Sequence, residues 1–402
     1  MILHVACLPF PSHQGTQAAL AAMLEASAGA GRPTHVLTYA HGAYERDAPY
    51  VVHRIPDFPR VHALRSGPSC GKVVLDARCI AETRRLARRL RPRAIVAHHI
   101  EAALAVLAAR VTPVYYVAHT SVADELPVYF PSLPAHPVRA AARQAERLVC
   151  RRAAGIGAIA PALAHRLGEG ARYLPVPWPH RTVSGQPTRT QARAALGLAL
   201  DAPVCLYAGN LDRYQGWEHL LQALVMLRHA RPNARLLVAT ESDPASARRE
   251  AERFGVGSAL RFCRLDGERA RQLAHAAADL AWIPRRTAGG LPIKMLDAFA
   301  RGLPVVAMAR ATAGLPLGDA CLRVPNDDAG TLALAARRLL DDDRFASRLK
   351  QRAHDYLQGH HSAESFSSAM RELLGETRAT PGARPAEPHR RAAPALRARS
   401  TP

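Results

Sequence analysis

The chain reads as an α/β protein made of two Rossmann-like, doubly wound parallel-sheet domains that face each other across a cleft. Three observations predict this. Short apolar runs alternate with amphipathic helical stretches from Ile2 to Pro177, the rhythm of βαβ units. Thr182–Thr190 (TVSGQPTRT) has the composition of a linker, and the same alternation resumes after it. At 402 residues the chain is long for one compact core and comfortable for two.

In the first half, strands are expected at Ile2–Ala6, His35–Tyr39, Ala94–Ala97, Val114–Ala118 and Ala154–Ala160. Helices are expected at Gly15–Ala30, Leu75–Leu90, Glu101–Arg110, Pro137–Arg152 and Pro161–Leu167, and Tyr173–Pro177 closes the domain. Asp124–Pro127 reads as a polar loop leaving the strand at Val114. The second half repeats the pattern with strands at Val204–Tyr207, Arg235–Ala239, Leu260–Phe262 and Leu280–Ile283. Its helices fall at Gly216–Ala230, Pro244–Phe254 and Arg269–Ala277, and the chain is helical again from Thr331 to about Leu374. The resulting division is 1–181, a linker 182–190, 191–361, a closing helix 362–376, and a basic Pro/Ala/Arg tail 377–402 expected to be disordered.

Composition narrows the function classes. The chain is 48% hydrophobic and 22% charged, with no run of about 18 apolar residues, so a membrane-spanning helix is not expected. Met1–Ala6 lacks the basic start and long apolar core of a signal peptide and reads as a strand. The seven cysteines show no metal-ligand or CxxC spacing and suit packed, reduced thiols in a cytoplasmic protein. The pairs His98-His99 and His360-His361 make poor chelators because neighbouring side chains diverge, and no metal site is expected. The net charge is +21, and Arg78, Arg84, Arg85, Arg88, Arg89, Arg91 and Arg93 crowd one helix and its exit. That helix suits an anionic membrane surface, although a solvated outer face would look the same. Nucleic acid is not expected, because aromatics are only 5% of the chain and no nucleic-acid-binding motif is present.

The segment from Trp282 to Met308 (WIPRRTAGGLPIKMLDAFARGLPVVAM) carries the most chemistry. Gly289 and Gly290 allow close approach of backbone to a ligand, and Pro292 can open a helix. Ile293, Leu296 and Ala300 fall on one helical face, Lys294 and Asp297 can face the turn, and Gly302 ends the helix before the strand at Val305. Free N–H groups at such a helix start suit a phosphate or another anion. Elsewhere, Pro9–Gln17 places Gly15 and Thr16 at a helix start after the first strand, and it is neither GxGxxG nor a P-loop. Tyr207–Glu218 (YAGNLDRYQGWE) is a second glycine-bearing turn. His119 sits at the lip of the first sheet, where it is either a cap or a group within reach of a substrate hydroxyl.

The Trp282–Met308 segment resembles the donor-site signature of GT-B glycosyltransferases of glycosyltransferase family 4, in which two acidic residues separated by seven others precede an Ala-x-Ala-x-Gly-x-Pro-Val run. Asp297 stands at the second acidic position and Gly289 at the first, a departure from the pattern. The glycine turn at Gly15-Thr16 is similar to the family's first loop, and Gly209 and Gly216 match its first donor-domain loop. Asn210 and Gln215 occupy positions where the family usually has Arg and Lys. Their absence removes cations that would stabilise a leaving diphosphate. Arg213, Arg285, Arg286 or Lys294 could supply that charge, neutral donors could replace it, or the transfer reaction could be lost.

The resemblance implies a GT-B enzyme transferring a sugar from a nucleotide diphosphate-sugar to a hydroxyl acceptor such as a glycan or lipid-linked glycan, with retention and without a metal or other cofactor. It assigns His119 to the reaction centre. Gly15, Thr16, Gly209, Asn210, Gln215, Gly216, Glu241, Arg285, Arg286, Gly289, Gly290, Lys294 and Asp297 fall on the donor side, Asp297 reaching the ribose. His99, Glu101, Asp124 and Glu125 fall on the acceptor side. A catalytically silent binding partner and a nucleotide-sugar epimerase are the alternatives. The expected location is cytoplasmic, on the inner face of the membrane if the arginine helix docks there.

Overall fold

The computed structural model describes residues 1–376 apart from 13–14, 43–46, 59–66, 68, 179–185 and 289. The tail 377–402, Gly289 and linker residues 182–185 therefore lie outside the described residues, as does the side chain of Arg213.

The first unit runs β1 (Ile2–Ala6), α1 (Gly15–Gly29), β2 (Thr34–Thr38), β3 (Val51–Arg54), α2 (Cys70–Leu90), β4 (Ala94–His98), α3 (His99–Ala108), β5 (Val114–Ala118), α4 (Val122–Tyr129), α5 (Ala135–Arg152), β6 (Gly155–Ala158), α6 (Pro161–Leu167) and β7 (Ala171–Tyr173). Its strands form a seven-stranded parallel sheet in the order β3-β2-β1-β4-β5-β6-β7. β1, β4 and β5 lie at its centre. β1 and β4 are buried along their whole length, which is why they read as nearly continuous apolar runs, each with one histidine, rather than as alternating strands.

The second unit opens with α7 (Arg189–Leu196), a helix over the end of the expected linker, held by a capping box between Thr188 and Gln191. There follow β8 (Val204–Ala208), α8 (Glu218–Ala230), β9 (Arg235–Thr240), α9 (Ala245–Arg253), β10 (Leu260–Arg264), α10 (Glu268–Ala277), β11 (Leu280–Ile283), α11 (Ile293–Ala300), β12 (Val305–Met308) and β13 (Leu322–Val324). These strands form a six-stranded parallel sheet in the order β10-β9-β8-β11-β12-β13. Both sheets reverse strand order next to their first strand, so each has a crevice at the carboxyl ends of its central strands. That is where α/β sheets bind ligands.

The C-terminal stretch is three helices, α12 (Ala329–Asp341), α13 (Asp343–His360) and α14 (Ala363–Leu373), each opened by a side-chain cap from Asp328, Asp342 or Ser362. α14 packs on the first unit: Tyr115 donates to the Leu374 carbonyl at 3.5 Å, and Arg172 meets Glu372 at 3.0 Å. Beyond its end Glu376 pairs with Arg32 at 3.0 Å. A single apolar cluster runs from the first sheet into α11 and the inner face of the second, and a Cβ added to Gly15 would lie 3.8 Å from that of Ile293. The start of α1 and the start of α11 thus touch, bringing the two crevices face to face.

Candidate active site between the two sheets

The turns that close the crevice need bare backbone. Gly216 has φ +65°, and a Cβ there would lie 2.5 Å from the Pro284 carbonyl oxygen. Gly209 has φ +154°, with the same added atom only 2.8 Å from the Lys294 Nζ. At Gly290 it would sit 3.2 Å from Thr120 Cγ2 of the opposite unit. These are positions where the chain approaches a charged group or the facing domain, as a ligand-binding turn requires.

Two cations line the second unit's side. Lys294 is half-buried, donates to Gln215 Oε1 at 2.5 Å and sits 4.7 Å over the Tyr207 ring. Burial, reinforced by the Arg285 charge, pushes its pKa down to about 7. Arg285 leaves β11 and crosses to the first unit, where its guanidinium meets Glu125 Oε1 at 2.9 Å. Asn210 is held by its own loop, donating to Asp212 at 2.8 Å, and its buried Oδ1 has no partner among the described residues. Thr16, at the start of α1, is half-buried.

The first unit's side is a chain of polar contacts. Glu125 accepts from Thr120 Oγ1 at 3.2 Å, Thr120 lies 3.1 Å from His99 Nε2, and His99 Nδ1 is 2.5 Å from Glu101. Burial disfavours charge on both members of the last pair, yet their mutual attraction prevails: His99 is raised and Glu101 is pushed down to about 2. His99 also has φ +71°, an unusual conformation for a residue with a Cβ, held by these two side-chain bonds. His119 is buried between this network and the sheet, with Nε2 3.0 Å from His98 Nδ1. Burial, with His99 nearby, lowers its pKa to about 3, so the ring is neutral.

Four sequence-based assignments change here. Asp297 is not free for a ribose in this structure: its carboxylate is enclosed by Arg301 at 3.1 Å, Arg271 at 3.4 Å and His275 at 3.5 Å. Arg286 packs beside the Gly216 turn but is engaged by His219 at 3.0 Å, and the cations at the Gly209 and Gly290 turns are Lys294 and Arg285. Asp124, one helical step from Glu125, points to Arg166 of α6 instead of joining the Thr120 cluster. Glu241 is exposed, and it is Ser242 that links its turn to the β8 loop, accepting from the Leu211 amide at 3.1 Å. The remaining candidates outside Gly289 lie around the facing carboxyl ends of the two sheets. Among the described residues no group of three or more His, Cys, Asp or Glu could hold a metal ion, and no helix is long and apolar enough to cross a membrane.

Comparison with known proteins agrees with this arrangement. The chain superposes along 94% of its length on sucrose-phosphate synthase of Thermosynechococcus elongatus, with a TM-score of 0.76 at 20% identity and 98% of that chain covered. The architecture is GT-B. HepE of Anabaena, solved with UDP-glucose, superposes with a TM-score of 0.71 at 16% identity, covering 94% of this chain and all of that one (100%). Residues 202–342 of the GT-B chain match the family model described as Glycosyl transferases group 1. In sequence it is 30% identical over 179 residues to a D-inositol 3-phosphate glycosyltransferase of Corynebacterium aurimucosum, which is 42% of each chain. The match therefore spans less than half the length of that curated relative.

Histidines 4 and 98 and the Arg271–His275–Arg301 clamp did not figure among the sequence candidates. Each had a signal. His4 interrupts the apolar run ILHVA, where a polar residue in a buried strand needs a partner. Arg301 follows Asp297 at the i, i+4 spacing of a helical ion pair.

Proposed function

We propose that the protein is a glycosyltransferase that takes a sugar from a nucleotide diphosphate-sugar and delivers it to a hydroxyl acceptor. The observation that carries this reading is the meeting of two side-chain-free turns, at Gly209 and Gly290, with two cations, Lys294 and Arg285, directly across from Thr120. Bare backbone admits a diphosphate closely, and positive charge is needed where negative charge develops as the diphosphate leaves. Lys294 and Arg285 take that task in a metal-independent reaction. His119, neutral and at the lip of the first sheet, meets the sugar, while His99, Glu101 and Glu125 shape the acceptor side. Asp297 contributes through the rigid clamp that fixes α11 beneath the donor. Retention is supported by a cleft in which the carboxylates on the first unit's side, Glu101 and Glu125, are already engaged by His99, Thr120 and Arg285, so that neither is free to act as a base or nucleophile.

The match to a Glycosyl transferases group 1 model across the second unit, and the likeness to HepE with its UDP-glucose, both support a donor of this class. The exposed arginines of α2 support a position against an anionic membrane surface, where a lipid-linked acceptor would be met.

Isothermal calorimetry with uridine, guanosine and adenosine diphosphate-sugars tests the reading. One of them binds in the micromolar range and is turned over with an added hydroxyl acceptor. Absence of binding across the whole set would remove the proposal and favour a silent binding protein.

A further inference from the structure

Three buried histidines form a line across the middle of the first sheet. His4 lies on β1 opposite Val96 of β4, and His98 is two residues further along β4. His98 in turn lies opposite Val117 of β5, and His119 is again two residues further along. The three rings therefore climb one diagonal of one sheet face toward its carboxyl edge. His4 Nδ1 is 2.8 Å from His98 Nε2, and His98 Nδ1 is 3.0 Å from His119 Nε2. The ring centroids are 5.2 and 5.3 Å apart. The two end nitrogens, His4 Nε2 and His119 Nδ1, are buried and have no partner among the described residues.

Burial depresses the pKa of all three, with neighbouring imidazoles adding to the effect at His98 and His119, so each ring is neutral and carries one N–H and one lone pair. Only two proton arrangements satisfy both hydrogen bonds. Either all three rings carry the proton on Nδ1, or all three carry it on Nε2. Any mixture sets two lone pairs or two N–H groups against each other and loses a bond. The first arrangement leaves a lone pair at the His4 end and an N–H at the cleft end. Each arrangement thus leaves one buried N–H and one lone pair without a partner among the described residues, but in the second the N–H lies deep in the sheet, where no ligand can supply an acceptor, and in the first it lies at the cleft end, where one can. The first is therefore favoured.

Resting on the cleft assignment above, we infer that His4 and His98 are positioning residues that fix His119 as the Nδ1–H tautomer, so that it donates a hydrogen bond to a hydroxyl of the donor sugar. Neither residue touches the ligand. They act by deciding which nitrogen of His119 holds the proton.

The test is nitrogen-15 NMR of the full chain labelled at histidine, with UDP and UDP-glucose as probes for calorimetry. In the free protein His4, His98 and His119 all show the Nδ1–H signature. His98→Asn, whose amide N–H can stand in for Nδ1–H, keeps His119 in that tautomer, whereas His98→Leu releases it to a mixture. His98→Leu then weakens UDP-glucose binding about fivefold, the effect of one hydrogen bond, and leaves UDP binding unchanged. His4→Phe shifts His119 in the same direction by a smaller amount. An Nε2–H signature at any of the three in the free chain overturns the inference, as does an unaltered His119 signal in His98→Leu. A chain that binds UDP with no gain from the glucosyl group overturns the sugar contact. Failure to bind either probe removes the cleft assignment itself, while the tautomers are still read in the free chain.

Discussion

The Arg285 guanidinium and the Glu125 carboxylate meet at 2.9 Å with both side chains largely buried, one from each unit. Glu125 also accepts from Thr120, and Arg285 donates to Thr287, so each member of the pair is held by its own domain before it reaches the other. The pair is a fixed strut across the cleft. Removing one partner leaves a buried charge, so Glu125→Gln and Arg285→Met should each destabilise the chain by about 3 kcal/mol. In a double-mutant cycle the double variant should recover at least about 1 kcal/mol of the summed loss. Denaturant melts of the four proteins measure this. Strict additivity would show that the two residues are near each other without being coupled.

Lys294 gives the donor site a pH dependence. Its pKa near 7 means that at pH 8 most free molecules carry a neutral amine, held down by burial and by Arg285. A diphosphate favours the charged form, so binding takes up a proton. Affinity for UDP-glucose should therefore increase as the pH falls from about 8 to about 6, the range flanking that pKa. The diphosphate of this ligand is doubly esterified and does not itself titrate there. The sign is opposite for folding. The unfolded lysine holds its proton up to its ordinary value of 10.5, so between that value and about 7 the native state has fewer protons, and Lys294 becomes less destabilising as pH rises. Calorimetry in two buffers of different ionisation enthalpy reads the proton uptake directly. Lys294→Met should abolish it, and equal uptake in that variant would assign the titration to another group.

Much of the fold was legible because buried parallel strands leave nearly continuous apolar runs, as at Ile2–Ala6 and Ala94–His98, and helices leave a different period. What escaped were elements lacking those patterns. β3 is a four-residue edge strand with Val51 exposed, and its sequence VVHR has neither length nor alternation. α4 carries Pro127 in its interior and two acids in its first turn, so its sequence resembles a loop. The acids suit the positive end of the helix, and that end positions Glu125. The glycine turns and Lys294 could be placed because close approach and a helix start have local signatures. The partners of Asp297 could not, since Arg271 and His275 come from a helix that sequence alone does not dock on α11.

That clamp makes Asp297 a stability determinant. Burial opposes its ionisation, but His275, Arg271 and Arg301 outweigh the penalty and hold its pKa below 3.8. A carboxyl whose native pKa is depressed contributes stability above its unfolded value and loses it as pH falls through the native one, so this contribution should begin to fall below about pH 4 and be gone once the native carboxyl is protonated. Asp297→Asn leaves Arg301, only 4% exposed, with the single carboxylate of Glu268, and should cost about 3 kcal/mol at neutral pH. Thermal melts of wild type and variant from pH 7 downward should converge as the acid limb is reached. Parallel curves would mean that the clamp adds nothing.

The arginine helix divides its residues between structure and surface. Arg78 donates to the Pro56 and Asp57 carbonyls, Arg84 closes the end of α3 through the Ala109 carbonyl at 3.1 Å, and Arg85 is tied to Glu82. Arg88 and Arg89 are exposed at the last turn of α2, and Arg88 joins Arg84, Arg91 and Arg110 around an open cavity of about 590 Å³. A solvated face would bind anionic and neutral vesicles alike, whereas each exposed arginine near an anionic surface adds on the order of 1 kcal/mol. Replacing Arg88 and Arg89 by Gln should therefore lower partitioning onto phosphatidylserine vesicles by about thirtyfold and leave stability within about 0.5 kcal/mol of wild type. Vesicle flotation measures the first and a urea melt the second. Equal recovery of wild type on phosphatidylserine and phosphatidylcholine vesicles would show that these charges face only water.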